Sequence, residues 1–112
     1  MAFKEAGGCL CGSVRYSFDR HSVVSAGHCH CVDCQKATGS GKATIVFVPS
    51  ASLEVSGEYR VYAVVGSDGS HVNRGFCPTC GSPIISYVAE QPDVKFIKAG
   101  SLDDPSWVRT EA

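Results

Sequence analysis

Seven cysteines fall into three ordered motifs, Cys9-Leu10-Cys11, Cys29-His30-Cys31-Val32-Asp33-Cys34 and Cys77-Pro78-Thr79-Cys80. Thiols this closely spaced cannot all serve as independent core residues, so whatever the chain folds into must gather them. In the middle motif, residues two apart in an extended segment share a face, which aims Cys29 and Cys31 the same way. A turn after Cys31 can bring Cys34 back beside them. Three thiolates on one side of a tight loop are three corners of the tetrahedron that Zn²⁺ favours, and no fourth cysteine stands nearby. Three protein ligands and one vacancy is the pattern of a catalytic zinc. The competing expectation is a second structural site closed by His28, His30, His71 or Asp33. His28 and His30 have the wrong parity for that role, since both lie on the opposite face of the extended segment from Cys29 and Cys31.

The outer motifs complement each other. Cys9 and Cys11 with Cys77 and Cys80 make a complete tetrathiolate set, with no corner left for a substrate. The alternatives are local disulfides or buried free thiols. A C-x-C disulfide is strained, and no βαβ pattern surrounds either pair to suggest a redox C-x-x-C.

At 112 residues the chain is long enough for one domain, here residues 1–112, and its 19% charged content suits a globular core. A core this small gains much from metal. The segment Met1 to Ala6 lacks the apolar stretch of a secretory signal, and no apolar run is long enough to span a membrane. The expected location is therefore a reducing cytoplasm, where clustered cysteines bind metal rather than pair. A formal charge of −1 argues against a nucleic-acid zinc ribbon, which carries a basic face.

Between the knuckles the chain reads as short strands. Val14, Tyr16 and Phe18 alternate with polar residues, the pattern of a half-buried strand. Further strands are expected over 23–28, 42–48, 53–55, 59–65, 70–76, 83–88 and 94–99, with one or two helical turns over 34–38 ended by Gly39-Ser40-Gly41. Many short antiparallel strands at regular spacing predict a mainly β, sandwich-like domain with two zinc knuckles. His21 and His71 are read as surface residues. Lys36 and Arg74, near the knuckles in sequence, are candidates to hold an anionic substrate.

The segments Gly7-Gly-Cys-Leu-Cys-Gly12, His28-Cys-His-Cys-Val-Asp-Cys-Gln-Lys-Ala-Thr-Gly39, Gly75-Phe-Cys-Pro-Thr-Cys-Gly81 and Gly100-Ser-Leu-Asp-Asp-Pro105 resemble the glutathione-dependent formaldehyde-activating family, which includes centromere protein V-like domains. The resemblance runs from about Gly7 to Pro105. It implies a β-tent fold with two zinc ions, a structural one on Cys9, Cys11, Cys77 and Cys80 and a catalytic one on Cys29, Cys31 and Cys34. It also implies a carbon–sulfur lyase-like enzyme that joins a small thiol such as glutathione to an aldehyde, forming an S-hydroxymethylglutathione-type adduct. His30, or water, would give the adduct oxygen its proton. Members of the family continue beyond the equivalent of Pro105 with His and Trp. Only Trp107 is present here, so the expectation is that a wall of the pocket is either missing or supplied by a partner chain, as in a homodimer. The rival expectation is a non-catalytic, zinc-stabilised interaction module. A methionine sulfoxide reductase-like activity ranks last, because all seven cysteines are already allocated to the metal sets.

Overall fold

The computed structural model describes residues 3–110. Two antiparallel sheets face each other. The smaller has the order β1 (Lys4–Gly8), β2 (Arg15–Asp19), β5 (Glu54–Ser56). The larger has six strands in the order β3 (Ser25–Cys29), β4 (Ala43–Pro49), β9 (Val94–Lys98), β8 (Pro83–Val88), β7 (His71–Phe76), β6 (Arg60–Val65). One short helix, α1 (Val32–Thr38), follows β3. The mainly β architecture matches the alternation in the sequence, and most strand ends fall within two residues of those expected.

Strand β1 is the exception. Its sequence, Lys-Glu-Ala-Gly-Gly, has little strand preference and no alternating apolar pattern, so it was not expected. It forms because β2 templates it: Gly7 pairs with Tyr16, and a side chain at Gly7 would stand 2.4 Å from the Ser101 carbonyl oxygen and the Tyr16 hydroxyl. Only glycine allows that approach. The Tyr16 hydroxyl in turn meets Ser101 Oγ at 2.6 Å, and burial pushes that phenol up to about 12.

The main core lies between the sheets. Val14, Tyr16 and Phe18 from the β2 side meet Val46, Val48, Ile85 and Ile97 of the large sheet, all buried. Each such side chain contributes roughly 1.5–3 kcal/mol of burial free energy. Trp107 joins this layer, edge-on to Phe18 at 6.1 Å and beneath the Arg20 guanidinium at 5.3 Å.

Register then decides what the other face of the large sheet carries. Val46 pairs with Ile97 and Ile85 with Ile97, so those residues turn toward the core. The residues between them turn away. Phe47 pairs with Phe96, Phe96 with Ser86 and Ser86 with Arg74, which makes one row across β4, β9, β8 and β7. Ile45 pairs with Lys98 beside that row, and Cys29 with Ala43 at its end. A second, smaller apolar cluster forms here around Cys34, Ala43 and Ile45, with Cys29, Phe47 and Phe96 against it.

Candidate functional site

The four-cysteine cluster ties two hairpins together. The connection from β1 to β2 brings Cys9 and Cys11, and the connection from β7 to β8 brings Cys77 and Cys80. Their sulfurs lie within 4.8 Å of one another. Cys9 and Cys11 are 3.6 Å apart, and Cys11 and Cys77 3.8 Å. Sulfurs at the corners of a zinc tetrahedron with bonds of about 2.3 Å stand about 3.8 Å apart, so this set fits such an ion. The same distances are far too long for disulfides, and all seven cysteines are free.

Neutral donors surround these sulfurs. The Val14 N–H donates to Cys9 Sγ at 3.3 Å, and the Thr79 and Cys80 N–H groups donate to Cys77 Sγ at 3.4 and 3.5 Å. Ser13 Oγ lies 3.2 Å from both Cys11 and Cys77, and Ser82 Oγ 3.2 Å from Cys80. The Ser82 hydroxyl and N–H draw the Cys80 thiol down to about 5. Burial opposes ionisation of Cys9, yet the Val14 N–H and Ser13 hydroxyl still bring it to about 7.

The three-cysteine cluster is built by a strand end and a helix start. Cys29 closes β3, and Cys31 caps α1, its sulfur accepting the Cys34 N–H at 3.4 Å. The cap explains why the helix begins at Val32, ahead of the expected start at Cys34. At the other end Gly39, with φ 70°, lets its N–H reach the Gln35 carbonyl at 2.8 Å and stops the helix. Cys29 and Cys31 sulfurs stand 3.4 Å apart, and all three lie within 4.8 Å. Among the described residues no histidine or carboxylate joins this set.

The histidines and Asp33 have other surroundings. His28 Nδ1 meets Thr44 Oγ1 and its Nε2 meets Thr110 Oγ1, both at 3.0 Å. His71 pairs with Glu90. His30 is exposed in the loop between β3 and α1, its carbonyl accepting from the Gln35 amide. Asp33 is exposed in the first turn of α1.

A cavity of about 590 Å³ opens beside the three sulfurs. Ile45, Phe47 and Phe96 form its apolar wall, the two rings meeting edge to face at 5.0 Å. Arg74, Ser86 and Lys98 form its polar wall. Both guanidinium Nη atoms of Arg74 stand 3.9 Å from Cys34 Sγ. Lys98 is 8% exposed and donates to Ser86 Oγ at 3.3 Å. Burial holds its ammonium below the usual lysine range, Arg74 pushing the same way and the cysteines the other. Burial and the two neighbouring thiols push Cys34 up to about 12, against the pull of Arg74. Among the described residues no carboxylate forms an ion pair with Arg74 or Lys98. A larger hollow, of about 810 Å³, runs past the four-cysteine cluster, but a closed tetrathiolate offers it no vacant corner.

Of the residues singled out in the sequence, Arg74 faces the cluster, while Lys36 is exposed on α1 and Trp107 belongs to the main core. Lys98 and Ser86 were missed. The signal lay in parity: Lys98 stands two residues from Phe96, on the side of the strand that carries an aromatic ring.

A family model described as glutathione-dependent formaldehyde-activating enzyme matches residues 4–112. No curated protein gives a significant match. Among solved structures the fold is similar to that of a Rhodobacter sphaeroides protein determined as a structural-genomics target, with a TM-score of 0.68 over 95% of this chain and 99% of that one, at 20% identity.

Proposed function

Since this chain belongs to the glutathione-dependent formaldehyde-activating enzyme family, we propose that it is a zinc-dependent, carbon–sulfur lyase-like enzyme that joins a small thiol to an aldehyde, as in S-hydroxymethylglutathione. The observation that carries this reading is the incomplete donor set: three sulfurs, no fourth side chain among the described residues, and a cavity at the missing corner. Cys9, Cys11, Cys77 and Cys80 would hold a structural zinc, and Cys29, Cys31 and Cys34 a catalytic one. A zinc ion in the second set supplies one thing, a coordinated thiol kept as thiolate near neutral pH.

The remaining work belongs to the protein. Ile45, Phe47 and Phe96 exclude water from one side of the sulfur, which protects a carbonyl that would otherwise hydrate. Confining two small reactants in one cavity replaces a bimolecular encounter with a positioned one. The step balances without oxidant or reductant. The thiol loses its proton, a sulfur–carbon bond forms, the carbonyl π pair moves to oxygen, and oxygen takes up a proton. His30, exposed in the loop between Cys29 and Cys31, is the proposed solvent-side source of that proton.

The test is metal analysis combined with exchange NMR of glutathione and formaldehyde. Two zinc ions per chain and exchange accelerated at least about tenfold over the protein-free mixture support the reading. Full metal loading with unaltered exchange would remove this substrate pair.

A further inference from the structure

Lys98 is a buried cation with no carboxylate partner among the described residues, and across one intervening strand, β8, a second cation, Arg74, stands on the same sheet face. Buried lysines are rare unless their charge is met, so the surroundings must supply a negative counterpart. The counterpart here is the sulfur cluster, which Arg74 touches through Cys34. Three thiolates around a divalent ion carry one net negative charge, and two cations face them. With a neutral fourth ligand such as water, the group is left with one positive charge in excess. With an anionic sulfur in the fourth corner it is balanced.

The other charges near the cavity do not alter this count. Asp33 and Asp68 lie at its rim, both exposed and screened by water, and the Asp68 carboxylate is engaged by the Ser70 N–H at 2.9 Å. The four-cysteine cluster is the internal control. It already holds four sulfurs, and the contacts to those sulfurs come from N–H groups, serine hydroxyls and one another rather than from a cationic side chain.

We propose that Lys98 and Arg74 are positioning residues that select an anionic sulfur over a neutral donor as the fourth ligand of the three-cysteine site. This deepens the function proposed above and rests on its open corner. The substrate class that follows is a thiol bound as its thiolate, with the positive charge on β7 and β9 as the selecting element rather than any contact to the rest of the molecule. Ser86, which accepts from Lys98, fixes the direction of the ammonium group.

The experiment loads both clusters with Co²⁺ and titrates the protein separately with 2-mercaptoethanol and with imidazole, reading the charge-transfer and d–d bands. Both probes fit the same corner, but only one arrives as an anion. Lys98→Met is expected to weaken 2-mercaptoethanol about tenfold while leaving imidazole within about twofold. Should Lys98→Met fail to load metal, Arg74→Gln, at a half-buried position, is expected to show the same split. Parallel weakening of both probes, or no change in either, overturns the assignment and leaves the open site standing. Wild-type bands that respond to neither probe would remove the open corner, and the proposed function would fall together with this inference.

Discussion

At the four-cysteine cluster the sulfurs are met by N–H groups and hydroxyls supplied by the knuckles themselves, Val14, Thr79 and Cys80 through the backbone and Ser13 and Ser82 through side chains. At the three-cysteine cluster one backbone N–H reaches a sulfur, Arg74 approaches another, and the rest of the environment is a cavity with Arg74 and Lys98 on its wall. The same ligand type thus sits in two settings. Neutral donors and strand connections suit a closed ion that holds elements together. Vacancy, an apolar wall and unmet positive charge suit an ion that exchanges a ligand. The difference lies in what surrounds the sulfurs, because the knuckle C-x-x-C spacing is common to both.

Removing a sulfur from each cluster should separate them most sharply. Cys77 is fully buried and links β7–β8 to the β1–β2 connection, so Cys77→Ser should leave the chain without cooperative folding. A structural zinc contributes on the order of 10 kcal/mol or more, comparable with the whole stability of a small domain. Circular dichroism and NMR dispersion read this directly. Cys34→Ser should instead give a folded protein with one metal ion fewer and thiol–aldehyde exchange reduced at least about 100-fold, as expected when a catalytic ion is lost. If the two variants destabilise equally, both clusters are structural and the domain is an interaction module.

A milder change probes the neutral donors. Ser13→Ala takes one hydroxyl away from the sulfurs of Cys11 and Cys77, and should weaken an ion held by the four-cysteine cluster by roughly 10- to 100-fold in a chelator competition. Metal binding at the three-cysteine cluster should hold as before. The smallest effect belongs to the scaffold that carries the first knuckle. Tyr16→Phe removes the hydroxyl contact to Ser101 and should cost about 1 kcal/mol in thermal or denaturant unfolding, with metal content unchanged. Loss of metal in that variant would mean that the β1–β2 pairing sets the cluster geometry more tightly than its own donors do.

Much of this was legible along the chain, for an identifiable reason. Metal-ligand spacing within each motif is local, and the count of sulfurs, three in one tight motif against two pairs far apart in the chain, suggested one incomplete and one complete set. Strand alternation is local too, and Val14, Tyr16 and Phe18 announced β2 without help. Other features depend on partners distant in sequence. Strand β1 exists because β2 pairs with it and because Ser101 leaves room only for a glycine. His28, adjacent to Cys29, is taken up by two threonines, one of them 82 positions away. Trp107, read as what remained of a pocket wall, packs in the main core.

The sequence by itself determined which sulfurs stand close enough along the chain to share a metal and which residues alternate in and out of a sheet, since each of these is set by neighbours within a few peptide units. Only the tertiary structure decided where the unfilled corner faces. The register of β4, β9, β8 and β7 puts Phe47, Phe96, Ser86, Lys98 and Arg74 on the same face as Cys34. A shift of one residue in that pairing would have turned the lysine to the opposite side, because successive side chains in a strand point opposite ways.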